Sequence, residues 1–190
     1  MKKCSTLLVP LTAVLLMCAG CGNQVSAEQE AVKEIISRNF GEVKGVYFSS
    51  FELVDSTTVA QELDRREALF SSKLDIERRH ISDYDEKNMQ KNAARHRESL
   101  AKTEEIIASL AALRESLAGC ADSVIYRTYK FSCQGTYAEG GKFSCQDMFV
   151  NITPDGKACN LKSDDSYHSG MGETIPGYKE LLESLRVTEE

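Results

Sequence analysis

Glu77 and His80 stand three residues apart in a run, Thr58 to Leu117, that holds no proline or glycine. On a helix the two share a face. Helical Glu-x-x-His pairs ligate paired iron ions in four-helix bundles, but such a site takes two pairs and two further glutamates from facing helices. Here one pair stands beside Arg78 and Arg79, whose charge opposes a cation. The pattern predicts a solvated helix face, and no metal site is expected. His96 falls on an apolar stripe further along and is expected at a helical seam rather than on a ligand. Asp164, Asp165 and His168 share a loop with Gly170 and Gly172, but the spacing of a calcium-binding loop is absent. No Gly-x-Ser-x-Gly elbow and no phosphate-cradling glycine loop occurs. No catalytic residue and no cofactor is expected.

The elements that carry these residues can be read from their periodicity. Leu63, Phe70, Leu74, Ile81 and Tyr84 mark one helical stripe; Ala93, His96, Leu100, Ile107, Leu110 and Leu117 mark a second. Thr58-Val59-Ala60-Gln61 is a capping-box pattern, and Gly119 suits a helix end. The reading is an antiparallel helical hairpin of about 58–83 and 88–118, broken near Tyr84–Asn88. Each arm is ~40 Å long at 1.5 Å per residue, longer than a small sheet can cover. Because its two stripes can satisfy each other, the hairpin is expected to be separable from the rest.

Around it the pattern alternates. Ser26-Ala27-Glu28-Gln29 caps a helix carrying Val32, Ile35, Ile36 and Phe40, so Ala27–Phe40 is amphipathic. Lys44–Asp55 reads as a strand, apolar on parts of both faces. After the hairpin come three strands at about 123–134, 143–152 and 157–163, rich in Val, Tyr, Thr and Phe. Gly140-Gly141 and Pro154-Asp155-Gly156 mark their turns. Ile175, Tyr178, Leu181, Leu182 and Leu185 continue as a short terminal helix, about 176–185. The fold class is α+β: a leading helix on a four-stranded antiparallel sheet, with the hairpin inserted after the first strand and a short helix at the end.

Residues 1–20 carry Lys2 and Lys3 ahead of an apolar run, Leu7 to Met17, too short to span a bilayer. It ends in Cys18-Ala19-Gly20-Cys21. Small residues before a cysteine at this place resemble the lipobox of bacterial lipoproteins, although Cys18 stands where that family usually has Leu. The resemblance implies cleavage before Cys21 and lipid on its sulfur and amine, with residues 21–25 as a tether and 26–190 as one domain. Gly22 is not the Asp that resembles an inner-membrane retention signal, so the expected place is the outer membrane, facing the periplasm. The chain is similar to small lipoproteins of Gram-negative envelopes. Its partner is then the membrane, through the anchor, with a protein or glycan as a further ligand. A formal charge of −6, more negative still without Lys2 and Lys3, argues against nucleic acid.

Of seven cysteines, Cys4 and Cys18 lie in the leader and Cys21 takes lipid. Cys120, Cys133, Cys145 and Cys159 remain, without metal-site spacing. They allow two disulfides in any of three connectivities, or four buried thiols. Register decides. A five-residue turn, Tyr137–Gly141, sets Cys133 opposite Cys145; a two-residue Gly140-Gly141 turn puts them on opposite faces. If any disulfide forms, Cys133–Cys145 is the expected one.

The element order over Ala27–Ser163 resembles cystatin-like and NTF2-like folds. The Gln-x-Val-x-Gly loop of cystatin inhibitors is missing, so protease inhibition is not implied. The function expected is a non-enzymatic binding or interaction module on the envelope. The alternatives are an enzyme using an NTF2-like cavity, or a structural protein that self-associates through the hairpin.

Overall fold

The computed structural model describes residues 26–185. The expected leader, the tether and the lipid-bearing Cys21 lie outside the described residues. Within them the chain is α+β, with four helices and one four-stranded antiparallel sheet in the order β1-β2-β3-β4.

Helix α1 (Ala27–Phe40) opens on the expected capping box. The Gln29 amide donates to Ser26 Oγ (3.2 Å) and the Ser26 amide to Gln29 Oε1 (3.0 Å). It buries Ala31, Val32, Ile35 and Ile36, and stops at Gly41, whose φ of 112° a side chain would resist. Strand β1 (Val43–Thr58) is longer than its apolar residues suggest, because Thr57 and Thr58 continue the ladder opposite Tyr126 and Val124 of β2 (Val124–Tyr137). Thr58 then caps α2 (Val59–Glu86) without an intervening loop, in a second capping box with Gln61. The amides of Val59 and Ala60 are taken by the carbonyls of Ser123 and Ala121, so the foot of the hairpin is clamped to the strand that follows it.

The hairpin turns at Lys87–Met89, slightly beyond the expected break, before α3 (Gln90–Ser116). Asn88 takes a left-handed backbone (φ 56°), which Asn tolerates better than most residues. The Met89 amide closes the turn on the Tyr84 carbonyl.

The meander settles the register. Tyr137 donates to the Gly141 carbonyl across a five-residue turn, and Thr136 faces Lys142 of β3 (Lys142–Ile152). Cys133 therefore faces Cys145. Strand β4 (Ala158–Lys162) follows the Pro154-Asp155-Gly156 turn. Helix α4 (Tyr178–Ser184) starts after Pro176 rather than on it. Gly172–Thr174 coil into a 3₁₀ turn, and Gly177 (φ 79°) restarts the chain as the helix.

Two cores result. Tyr129, Phe131 and Cys133, of one parity on β2, contribute to the core under α1 with Val32, Ile36, Val150 and Ala158. The second core lies at the foot of the hairpin, where Val59, Leu63, Phe70, Ile106 and Leu110 pack with Ile125, Tyr126, Met171, Ile175, Tyr178 and Leu182. This corrects the expectation of a separable hairpin. Its lower turns share one core with Ile125 and Tyr126 of β2 and with the C-terminal segment.

Candidate functional site

The densest polar arrangement is built at the hairpin foot. Glu62 sits one turn beyond the Thr58 cap, so α2 aims it back at the sheet. Arg65 and Arg66 follow at the two spacings that share its face. The Glu62 side chain is 0 % exposed. Its Oε1 accepts from Arg66 Nε (2.9 Å) and Nη2 (2.5 Å); its Oε2 accepts from Arg65 Nη1 (3.0 Å) and from the Tyr126 hydroxyl (2.7 Å). Arg66 also donates to the His168 carbonyl (3.1 Å), which ties the C-terminal segment to α2.

The hydroxyl of Tyr126 has one proton, and Glu62 takes it. His168 Nδ1, 3.0 Å from the same oxygen, is then the donor, which assigns the Nδ1–H tautomer. His168 Nε2 faces Asp55 Oδ2 at 3.6 Å, and Arg65 Nη2 reaches the same oxygen at 3.6 Å. Burial, with smaller effects from its neighbours, pushes the Tyr126 hydroxyl well above the usual tyrosine range. Burial first, then the Arg65 guanidinium, holds His168 below its ordinary value, against the pull of Asp55 and Glu62. Both oxygens of Glu62 and the hydroxyl of Tyr126 are occupied by one another's partners, so the arrangement acts as a lock between strand, helix and C-terminal segment.

The lowered His168 sets a direction for stability against pH. The folded state keeps the imidazole neutral at a pH where the unfolded chain, titrating near ~6.5, already binds a proton. The contribution is full above that value and is lost as pH falls through the lower, folded value. Urea midpoints should therefore drop on acidification from neutral pH, and the part of the drop due to His168 should vanish in His168→Asn. An unchanged slope in that variant would remove His168 as the cause.

A second cluster lies on the hairpin's outer half. Glu77 of α2 is buried rather than solvated, unlike the expectation. The reason is across the seam: His96 Nδ1 of α3 lies 2.6 Å from Glu77 Oε2, and Ser99 Oγ donates to Oε1 (2.7 Å). Burial opposes the charged carboxylate, but the hydrogen bonds from His96 and Ser99 outweigh it and hold Glu77 below the usual range. His80, exposed, sets its ring edge-on to that of His96 (centroids 4.8 Å), and Tyr84 stacks on the same imidazole (5.2 Å, 19°).

Cys133 and Cys145 face each other with free thiols; Cys120 and Cys159 are free as well. Burial first, then the Cys145 thiol, pushes the Cys133 thiol up to about 12, so Cys133 is not a ready nucleophile. Directly opposed strand residues have Cβ atoms ~4.5–5.5 Å apart, and a disulfide needs ~3.8 Å, a small approach. Non-reducing peptide mapping of protein made in an oxidising compartment should find Cys133 joined to Cys145. Four alkylatable thiols, or a bridge containing Cys120, would contradict it.

At the turn end of the sheet a groove of about 780 Å³ is lined by β1, β2 and β3, among them Tyr47, Gln134, Gly135, Lys142 and Phe143. A Cβ on Gly135 would stand 2.6 Å from the Phe143 ring and closer still to the Gly45 carbonyl oxygen, so only glycine fits there. The groove's lining holds no carboxylate and no imidazole.

No protein-family model, curated protein or solved structure matches the chain.

The residues singled out in the sequence divide accordingly. Asp164 accepts from the Ser166 amide (3.0 Å) and hydroxyl, which lower its carboxyl and fold the loop on itself. His168 leaves that loop for the lock. Glu77, His80 and His96 are brought together, though the spacing of the first two gave no sign of the third. Glu62 and Tyr126 were missed. An acid one turn after a helix cap reads as a solvated side chain, and its partner Tyr126 lies 64 residues away.

Proposed function

We propose that the chain is a lipid-anchored envelope protein, held through Cys21 at the outer membrane, that acts as a non-enzymatic interaction module with the hairpin as its contacting part. The observation that carries this reading is an apolar stripe left open along α2 of the hairpin. Leu69 and Ile76, seven residues apart on α2, are 52 % and 46 % exposed, and Met89 stands exposed at the tip. Two helical turns separate the pair, so both lie on one line along the helix. The reading is favoured over an enzyme because Glu62, Tyr126 and His168 bond to one another, while the groove on the sheet carries no acid–base pair. No helix among the described residues is long and apolar enough to cross a membrane.

The test combines anchor and stripe. Crosslinking in intact envelopes should trap one defined species on the wild-type protein, and Leu69→Arg/Ile76→Arg should lose it while folding normally. Cys21→Ser should leave the protein unprocessed or soluble, and should lose the species unless the partner is also soluble. A crosslink to a second copy of the chain would favour self-association. A processed Cys21→Ser protein that still partitions into detergent would overturn the anchor.

A further inference from the structure

We propose that Glu77 and His80 of α2 and His96 of α3 form a binding site for a divalent transition-metal cation, zinc being the best match, which staples the outer half of the hairpin. The inference does not depend on the function proposed above. One ligand atom from each of the three residues lies within 4.8 Å of the others. In a tetrahedral zinc shell, with bonds of ~2.0–2.2 Å, donor atoms stand ~3.3–3.6 Å apart. Closing that difference takes side-chain rotation, chiefly of His80, whose ring is exposed and so free to swing.

The contact between His96 Nδ1 and Glu77 Oε2 at 2.6 Å holds a proton at the place a cation would take. A cation there would take that place between two groups already aligned. The surroundings orient the ligands in the way metal sites require. Ser99 Oγ fixes the second Glu77 oxygen, and Tyr84 stacks on the His96 ring.

The objection raised by Arg78 and Arg79 is met by helix geometry. One and two residues on from Glu77, they leave its face. Arg78 pairs with Asp75 (3.5 Å) and Glu104 (3.8 Å), and Arg79 Nε donates to the Asp75 carbonyl (3.1 Å). Lys73, one turn before Glu77, is the cation that acts on its carboxylate, and it lowers affinity without filling the site. Two imidazoles and one carboxylate, with a fourth position left to solvent, suit zinc, copper(II) or nickel; calcium and magnesium call for shells of oxygen. Two ligands come from one helix and one from its neighbour, so the cation joins α2 to α3 close to the tip.

Cobalt(II) and zinc titrated into the processed, full-length protein in detergent test this. The expected result is one cobalt per chain, with ligand-field bands, no thiolate charge-transfer band, and displacement by zinc. His80→Ala should weaken binding at least about tenfold while leaving the melting of the cation-free protein unmoved, because its ring is exposed. His96→Gln should weaken it as much or more, and zinc should raise the wild-type melting midpoint but not that of either variant. A thiolate band would place the cation on the cysteines and overturn the site. So would the absence of saturable binding, or unchanged affinity in His80→Ala.

Discussion

Glu62→Ala should destabilise the folded protein by about 3–5 kcal/mol, the usual cost of removing one partner from a buried ion pair. Glu62 and Arg66 are both shut away from solvent, and Arg66 has Glu62 at two of its nitrogens. Deleting the carboxylate leaves a guanidinium in a place water cannot readily reach. It also removes the acceptor of the Tyr126 hydroxyl, so the line from His168 through Tyr126 loses its end. The double variant Glu62→Leu/Arg66→Met should recover much of the loss, since apolar residues of similar volume often replace such pairs at little cost. Urea denaturation followed by circular dichroism measures both. A shift of under ~1 kcal/mol in Glu62→Ala, the range of exposed pairs, would mean that solvent reaches the site.

Removing Val59–Ala118 whole should abolish cooperative folding, whereas removing only Lys73–Lys102, with Ser72 joined to Thr103 through a short Gly/Ser loop, should preserve it. Val59, Leu63, Phe70, Ile106 and Leu110 belong to the second core, and all lie outside the shorter deletion. Each such side chain contributes ~1.5–3 kcal/mol by burial. Five together match the ~5–15 kcal/mol by which whole domains are stable. The shorter deletion removes mainly helix that pairs with helix. Thermal melts and the dispersion of amide resonances distinguish the outcomes. Cooperative unfolding of the longer deletion would show that the C-terminal segment finds cover without the hairpin.

The two deletions mark where the sequence was legible and where it was not. Local rules were visible in residues that answer to near neighbours. Ser26 and Thr58 cap as their partners three residues on suggest, although the strand reading stopped at Asp55, three residues short of the end of β1. Heptad-like spacing announced both arms, and the four-stranded meander followed from β-branched runs and turn glycines. The open question of Cys133 and Cys145 was one of register, and it turned on whether the chain reversed at Gly140-Gly141 or over Tyr137–Gly141. Nothing local distinguishes those. Contacts between distant segments were illegible for the same reason. Glu62 looks like any helical acid until Tyr126, 64 residues later, is set against it. The Glu77 and His80 pair looks solvated until the hairpin folds His96 onto it.

The direct join of β1 to α2 makes the hairpin a lever arm. Thr58 ends the strand and caps the helix, and the amides of Val59 and Ala60 are pinned to Ser123 and Ala121, so the fulcrum has no slack loop. With an arm of ~40 Å, a rotation of ~10° at the foot sweeps the tip by ~7 Å. Conversely, a load on the tip delivers its torque to the first turns of α2, where Glu62, Arg65 and Arg66 grip Tyr126 and the His168 segment. Strain applied near Met89 would thus be felt at the opposite end of the helix, in the exchange rates of the Val59 and Ala60 amides, before it disturbed the sheet beneath α1.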